Sequence, residues 1–349
     1  MTAMANTTVD VHAHAHVAEV DQLVAGKPGL AHELATAPQL LGPASVDRNR
    51  ELFVELWRHA LTDVDTRRRS MDRSGIDVQV VSVTPLQYHA WADRGLAGEI
   101  IAATNANIAG IVAHDPKRFS GLAAVSLQHP DLACAQLEHA VGSLGLRGAE
   151  VPTRAGRLDF SAPELEEFWT TAEALGAVIF IHPWGCSLDE RLARFYLANV
   201  IGNPTETTVA LSHLIFGGVF DRHPRLKVCA AHGGGYLPYY IGRSDHAWLV
   251  RPEARTTERP PSEYLGSVWF DSLVYRAETL RHLIDTVGAR RVVLGTDYPY
   301  DMGVDDPIAR LGDVAGLTDG DRSAILGGNA VELFDLSDLN VRQPHTSRP

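Results

Sequence analysis

Residues 7–14 read TTVDVHAH, a short β-branched apolar run that ends in two histidines spaced two apart. A run of this kind suits a strand buried on both faces, as parallel strands are. Seven more runs follow it at regular intervals: VQVVSVTP (78–85), FSGLAAVSL (119–127), GLRGAEVP (145–152), AVIFIHP (177–183), RLKVCAAH (225–232), GSVWFDS (266–272) and RRVVLGTD (290–297). Helical patterns lie between them at 94–114, 130–143 and 161–175. In the last, Ser161 is a candidate N-cap, Pro163 falls in the first turn and Glu164 stands three residues after the cap. Eight strands alternating with helices predict an α/β fold, a (β/α)8 TIM barrel. A doubly wound sheet is the competing architecture. It is disfavoured because no GxGxxG follows the first strand and because eight units fit closure.

Residues 17–66 break the repeat. They hold GKPG, GPAS and an amphipathic helix at about 48–61, and they read as an insertion after strand 1 that covers the barrel mouth. Residues 338–349 are polar and read as a frayed tail. The 349 residues are thus expected to form a single barrel domain over 1–349.

Composition excludes several functions. Hydrophobic residues make up 45% of the chain, which is globular rather than disordered. The balance of 31 basic to 43 acidic residues, a net charge of −12, argues against a nucleic-acid partner or an anionic membrane surface. No run approaches 18 apolar residues, so no membrane-spanning helix is expected, and MTAMANTTVD shows no signal-peptide pattern. Cys134, Cys186 and Cys229 form no CxxC pair, which suits a reducing, cytoplasmic location.

The 16 histidines matter through their placement. A βα barrel builds its active site where strands end. Strand 1 ends in His12-Ala13-His14, and residues two apart on a strand share a face. Strand 5 ends in His182, strand 6 in His232 and strand 8 in Asp297. Three imidazoles and a carboxylate suit a divalent ion such as Zn²⁺, with a water completing an open site. His232 is then free to move protons beside the metal. Each motif alone is weak: a buried histidine satisfied by backbone is the ordinary reading of HPW or HGGG, and GTD also reads as a turn with an Asp cap. Their joint arrival at strand ends on one face raises the metal-site reading well above those. His16 falls beyond the strand. His59, His89, His213, His223, His246 and His282 read as surface or packing residues, with His89 and His246 nearest the mouth.

Together DVHAH, MDRSGIDVQVVS, LQHPDLA, FIHPWG, SHLIFGGVFDRHPRLKVCAAHGGGYLPYYIGR and VVLGTDYPY resemble the amidohydrolase superfamily, and within it the aminocarboxymuconate-semialdehyde decarboxylase-like family. The resemblance runs from about residue 8 to 336. It implies metal ligands at His12, His14, His182 and Asp297, and His232 as catalytic acid/base. It implies that Arg243 reaches the neighbouring subunit's site in a homodimer and binds a substrate carboxylate. A second carboxylate-binding arginine falls by spacing at Arg58, where the surrounding residues match poorly. Binuclear superfamily members bridge two metals with a lysine at the end of strand 4. GLRGAEVP has none, and Glu150 reads equally as a packed or a functional group, so one metal is expected, Zn²⁺ ahead of Mn²⁺.

The implied function is a metal-dependent, O2-independent decarboxylase of a planar unsaturated or aromatic carboxylic acid, aminocarboxymuconate-semialdehyde-like or hydroxybenzoate-like. Metal-held water or substrate would work with His232, arginines would fix the carboxylate, and Trp184 would stack on the planar substrate or simply pack the mouth. Two alternatives remain at this point. One is a hydrolase of an ester, lactone or amide at the same site, with Asp297 as base. The other is a non-catalytic metal protein, which the extra base His232 disfavours.

Overall fold

Strand and helix alternate along the chain, and the strands run parallel, in a computed structural model that describes residues 7–337. The staves are β1 (Val9–Ala15), β2 (Val78–Val83), β3 (Phe119–Gly121, resumed at Ala123–Ala124), β4 (Gly148–Val151), β5 (Val178–Ile181), β6 (Lys227–Ala230), β7 (Val268–Asp271) and β8 (Val292–Val293). Each pairs in parallel with the next. Leu122 N–H donates to Val81 O at 2.9 Å, which carries the sheet across the break in β3. The last stave closes on the first. Val11 N–H donates to Leu294 O at 2.9 Å, Asp297 N–H to His12 O at 2.8 Å and His14 N–H to Tyr298 O at 2.8 Å. The eight staves form the TIM barrel that the alternation predicts.

Two apolar layers hold the staves. Val9, Val11, Val78, Val80, Val178 and Phe180 pack inside the barrel, and Phe334 and Leu336 belong to the same cluster. Ala15, Val81, Ile179, Ile181 and Val228 point the other way, into the larger cluster shared with the helices. This is the period-2 alternation of a sheet buried on both faces. β1 departs from it once. Asp10 faces Gln79 and Ala13 faces Val81, so Val11 and His12 together stand opposite the single residue Val80. The bulge shifts the phase of the strand. Val9 and Val11 point inward before it, and His12 also points inward after it, edge-on to the ring of Phe180 at 5.1 Å.

The helix expected over 94–114 spans Arg94–His114. By length and composition it is apolar enough to cross a membrane, contrary to the expectation drawn from uninterrupted apolar runs. Here it lies on the barrel: Ile100, Ile101 and Ile108 are buried, and the Asn105 amide exchanges bonds with Ala124 O and N at 3.1 and 2.8 Å. The second expected helix spans Pro130–Gly142. The third begins later than predicted. A 3-10 turn at Pro163–Leu165 leads into Glu166–Leu175, and Ser161 caps neither, because its hydroxyl lies 2.8 Å from His213 Nδ1.

The segment after β1 holds more helix than its sequence suggested: Ala18–Val24, Pro28–Leu41, Pro43–Leu52, a π turn at Phe53–Trp57 and Arg58–Thr62. The π turn follows from what is buried. Leu52, Trp57 and Leu61 share one cluster with Phe53 and Tyr300. An i→i+5 turn lets Leu52 and Trp57, five apart, face the same way. The tail expected at 338–349 lies outside the described residues.

Gly148 opens β4 at φ 149°, and a Cβ there would sit 1.9 Å from the backbone oxygen of Val178. Gly148→Ala is expected to cost about 1–3 kcal/mol or more of stability, read as a lower denaturant midpoint. An unchanged midpoint would show that β4 and β5 separate freely at this point.

Candidate metal centre

Strand ends deliver the polar side chains to one place. His12 and His14 leave β1 on the inward side, His182 follows β5, and Asp297 lies beyond β8 in the run that pairs with β1. Their ligand atoms all lie within 4.8 Å of one another, and all four residues are buried. His12 Nε2 and His14 Nε2 stand 3.4 and 3.2 Å from Asp297 Oδ1. The His182 ring centroid is 4.9 Å from those of both His12 and His14.

The other ring nitrogens are spoken for, and this sets which nitrogen faces inward. His12 Nδ1 lies 2.7 Å from Asp271 Oδ2, and His14 Nδ1 lies 3.1 Å from Val83 O. Asp271 is itself fixed, since its Oδ1 accepts from Gly233 N–H at 2.8 Å and Leu273 N–H at 3.1 Å. What remains is a set of buried atoms with no partner: His12 Nε2, His14 Nε2, both nitrogens of His182 and Asp297 Oδ1. Buried polar atoms are nearly always paired. Here one ligand atom from each of four residues converges, and together they are the donor set of a divalent cation. Among the described residues this is one group of such ligands.

Electrostatics agree with that assignment. Burial and the neighbouring His14 and His12 push the His182 pKa well below the usual range, so this imidazole is neutral. Burial alone would raise Asp297, but His12 and the contacts from His14 and His232 hold it well below the usual carboxylate range. Burial opposes a charge on His12, yet Asp297, Asp271 and Glu150 outweigh it and lift its pKa from 6.5 to about 9. The pocket of acids calls for a positive charge at its centre, which a bound cation supplies in place of that proton.

His232 stands beside the four-residue cluster, with Nε2 3.7 Å from Asp297 Oδ2 and its ring 5.2 Å from those of His12 and His182. Both His232 and Asp297 sit at left-handed φ, 54° and 59°, a strain that structures retain where a side chain must be aimed. The glycines after His232 are needed for approach: a Cβ at Gly235 would meet Pro204 O at 2.1 Å. Glu150, at the end of β4, is not in the ligand group. It accepts from Ser82 Oγ at 2.5 Å and Tyr88 OH at 2.7 Å, and burial raises its pKa.

A cavity opens above this floor. His182, His232 and Asp297 line its base, while Trp57, Trp184 and Tyr300 line it with their rings. The structure does not bring Arg58 there. Arg58 is exposed, with its guanidinium over the Phe53 ring at 5.3 Å; Asn49 and Trp57 from the same segment line the cavity in its place. Arg243 is exposed on the helix Leu237–Val250 and does not line the cavity of its own chain. His16 pairs with Asp21 at 2.7 Å and His89 with Glu33 at 3.2 Å, while His246 is exposed. Asp271 escaped the sequence reading although the signal was there: it ends β7 just as the other site residues end their strands. Tyr300 and the asparagines of the wall lie beyond strand ends, where no pattern marks them.

The amidohydrolase family matches this sequence over residues 9–336. The chain is 36% identical over 289 residues to 2-amino-3-carboxymuconate-6-semialdehyde decarboxylase of Dictyostelium discoideum, covering 82% of this chain and 79% of that protein. It is 32% identical over 328 residues to gamma-resorcylate decarboxylase of Polaromonas sp., covering 89% of this chain and 99% of that protein. Among solved structures it is similar to a dihydroxybenzoic acid decarboxylase from Polaromonas sp. JS666 with bound manganese and the inhibitor 2-nitroresorcinol. That similarity has a TM-score of 0.78 at 28% identity and covers 96% of this chain and 99% of that one.

Asp271→Asn keeps the shape but removes the charge that orients His12. Metal affinity is expected to fall about 10–100-fold, measured by competition with a chromophoric chelator. Equal affinity would show that this contact does not support the ligand.

Proposed function

The chain belongs to the amidohydrolase family, and we propose that it is a metal-dependent decarboxylase that removes CO2 from a planar unsaturated or aromatic carboxylic acid without an oxidant. The observation that carries this reading is a base left over. Four buried side chains converge as ligands, and a further imidazole, His232, faces the same cavity from outside that set. A closed structural site has no use for it. The decarboxylases compared above give the hydrolase alternative no support.

His12, His14, His182 and Asp297 would hold the ion. Three imidazoles and one carboxylate favour zinc in our reading, and manganese is the alternative that the solved relative makes concrete. The bound cation supplies positive charge against the substrate's carboxylate or an adjacent oxygen. The chain's own residues do the rest. Trp57 and Trp184 flank a flat substrate, and their rings exclude water from it. As the carbon–carbon bond breaks, its electron pair stays on the substrate carbon, and His232 Nε2 delivers a proton there. CO2 leaves uncharged, and His232 regains a proton from solvent.

The carboxylate's further partner would come from a second copy of this chain. Among the described residues no lysine or arginine lines the cavity from within the chain. The helix that carries Arg243 also exposes Tyr240 and Leu249, at 68% and 66%. Such a face suits burial in a homodimer, in which Arg243 would reach the neighbouring site and bind the carboxylate as a fork.

His232→Ala is expected to lower CO2 release at least about 100-fold while leaving bound metal near one per chain. Loss of the metal would make His232 a ligand instead. Chelation should abolish CO2 release, and added Zn²⁺ or Mn²⁺ should restore it. Turnover of a lactone with no CO2 from any hydroxybenzoate or muconate acid would sink the decarboxylase. For the shared site, mixed dimers of His232→Ala and Arg243→Ala chains are expected to regain activity in one of their two sites. No recovery would overturn it.

A further inference from the structure

The wall of the cavity is built of amides where cations are expected. Asn199 lies in the π turn Ala198–Gly202, Asn203 opens the helix Asn203–Phe216, and Asn49 comes from Pro43–Leu52. All three line the cavity. Asn203 is only 9% exposed, and its backbone carbonyl, not its amide, accepts from Thr207 Oγ1. Among the described residues none of the three side-chain amides has a hydrogen-bond partner. A π turn is itself a feature concentrated at functional sites. This one presents Asn199 to the cavity while Val200 and Ile201 turn outward, 46% and 37% exposed.

The charges nearby point the same way. Arg48 and Arg194 line an adjoining hollow that shares Asn49, Tyr196 and Asp301 with the cavity, but Arg48 is tied to Glu51 at 3.0 Å and the Arg194 guanidinium lies over the Phe195 ring at 5.1 Å. Asp301 lines the cavity itself, while Asp297 would be taken up by the metal. A second carboxylate on the substrate would therefore meet Asp301 and, among the described residues, no cation on the cavity wall. An uncharged polar group would meet amides, which donate through NH2 and accept through C=O.

We propose that Asn199, Asn203 and Asn49 select the substrate by reading an uncharged hydroxyl, amino or oxo group on its planar frame, so that the enzyme favours a monocarboxylate over a dicarboxylate. This rests on the decarboxylase reading above. A site built to bond such a group rejects the analogue that lacks it, because the amides that the analogue covers are then cut off from water and left unpaired.

The test is calorimetric binding to the metal-loaded enzyme of benzoate, the three monohydroxybenzoates and the three benzenedicarboxylates, with CO2 release assayed in parallel. At least one hydroxybenzoate is expected to bind about tenfold or more tighter than benzoate, and every dicarboxylate more weakly than that isomer. Asn203→Leu is expected to bring the hydroxybenzoate-to-benzoate ratio near one. Asn199→Ala, at a half-buried position, should lower the same ratio and serves if Asn203→Leu does not fold. The proposal is overturned if the wild-type ratio is near one, if a dicarboxylate binds tightest, if no hydroxybenzoate binds, or if the preference survives in the folded variants. CO2 release without the preference sinks amide selection alone. The preference without CO2 release from any acid keeps amide selection and sinks the decarboxylase.

Discussion

Buried atoms of His12, His14, His182 and Asp297, one ligand atom from each, face one another and find no hydrogen-bond partner among the described residues. Left that way, each costs about 1–3 kcal/mol, and stability margins are small. Much of the surrounding structure serves to hold these atoms in place against that cost. Asp271 pins His12, Val83 O pins His14, and the backbone of Asp297 hangs from His12 O. The barrel is the frame that makes this arrangement possible, because its closing hydrogen bonds run through the same residues. Asp297 N–H and His14 N–H both take part in joining the last stave to the first. The centre and the closure of the barrel are one piece of construction.

Outside that ring the surroundings change from charged to amphipathic. Phe180 underlies His12, while Trp57, Trp184 and Tyr300 line the cavity above. Low polarity strengthens every charge interaction at the floor and accommodates a flat substrate. The helices after β1 contribute Asn49 and Trp57 to this cavity, so a segment with no place in the βα repeat helps define what the repeat encloses.

The architecture was legible because each stave is a short β-branched run and each interval is long enough for a helix. The ligand group was legible because strands end at residues that sequence alone can find, as with His182 after VIFI and Asp297 after VVLGT. Asp271 obeyed the same rule, but a lone aspartate ending VWFD carries no motif. Arg58 was placed by its spacing to Met71, and a count along the chain does not say which way a side chain turns: its guanidinium lies over the Phe53 ring, while the π turn at Phe53–Trp57 sends Trp57 to the cavity. Asn199 of the wall sits on a second such turn, invisible for the same reason. Ser161 shows another limit: it has the form of a cap, but His213, 52 residues away, takes its hydroxyl.

The bulge in β1 turns that strand into something like a reading frame. Substitutions along it are local events, since each alters one side chain. A single-residue deletion between Val9 and His14 is different in kind. The strand could keep its barrel-filling valines inward or its histidines inward, and no longer both. A chain that lost only Val11 would keep Asp10 and both histidines, yet its strand could no longer aim them from the frame that fills the barrel. The extra residue, which bears no chemistry of its own, is what lets one strand serve the core and the centre at once.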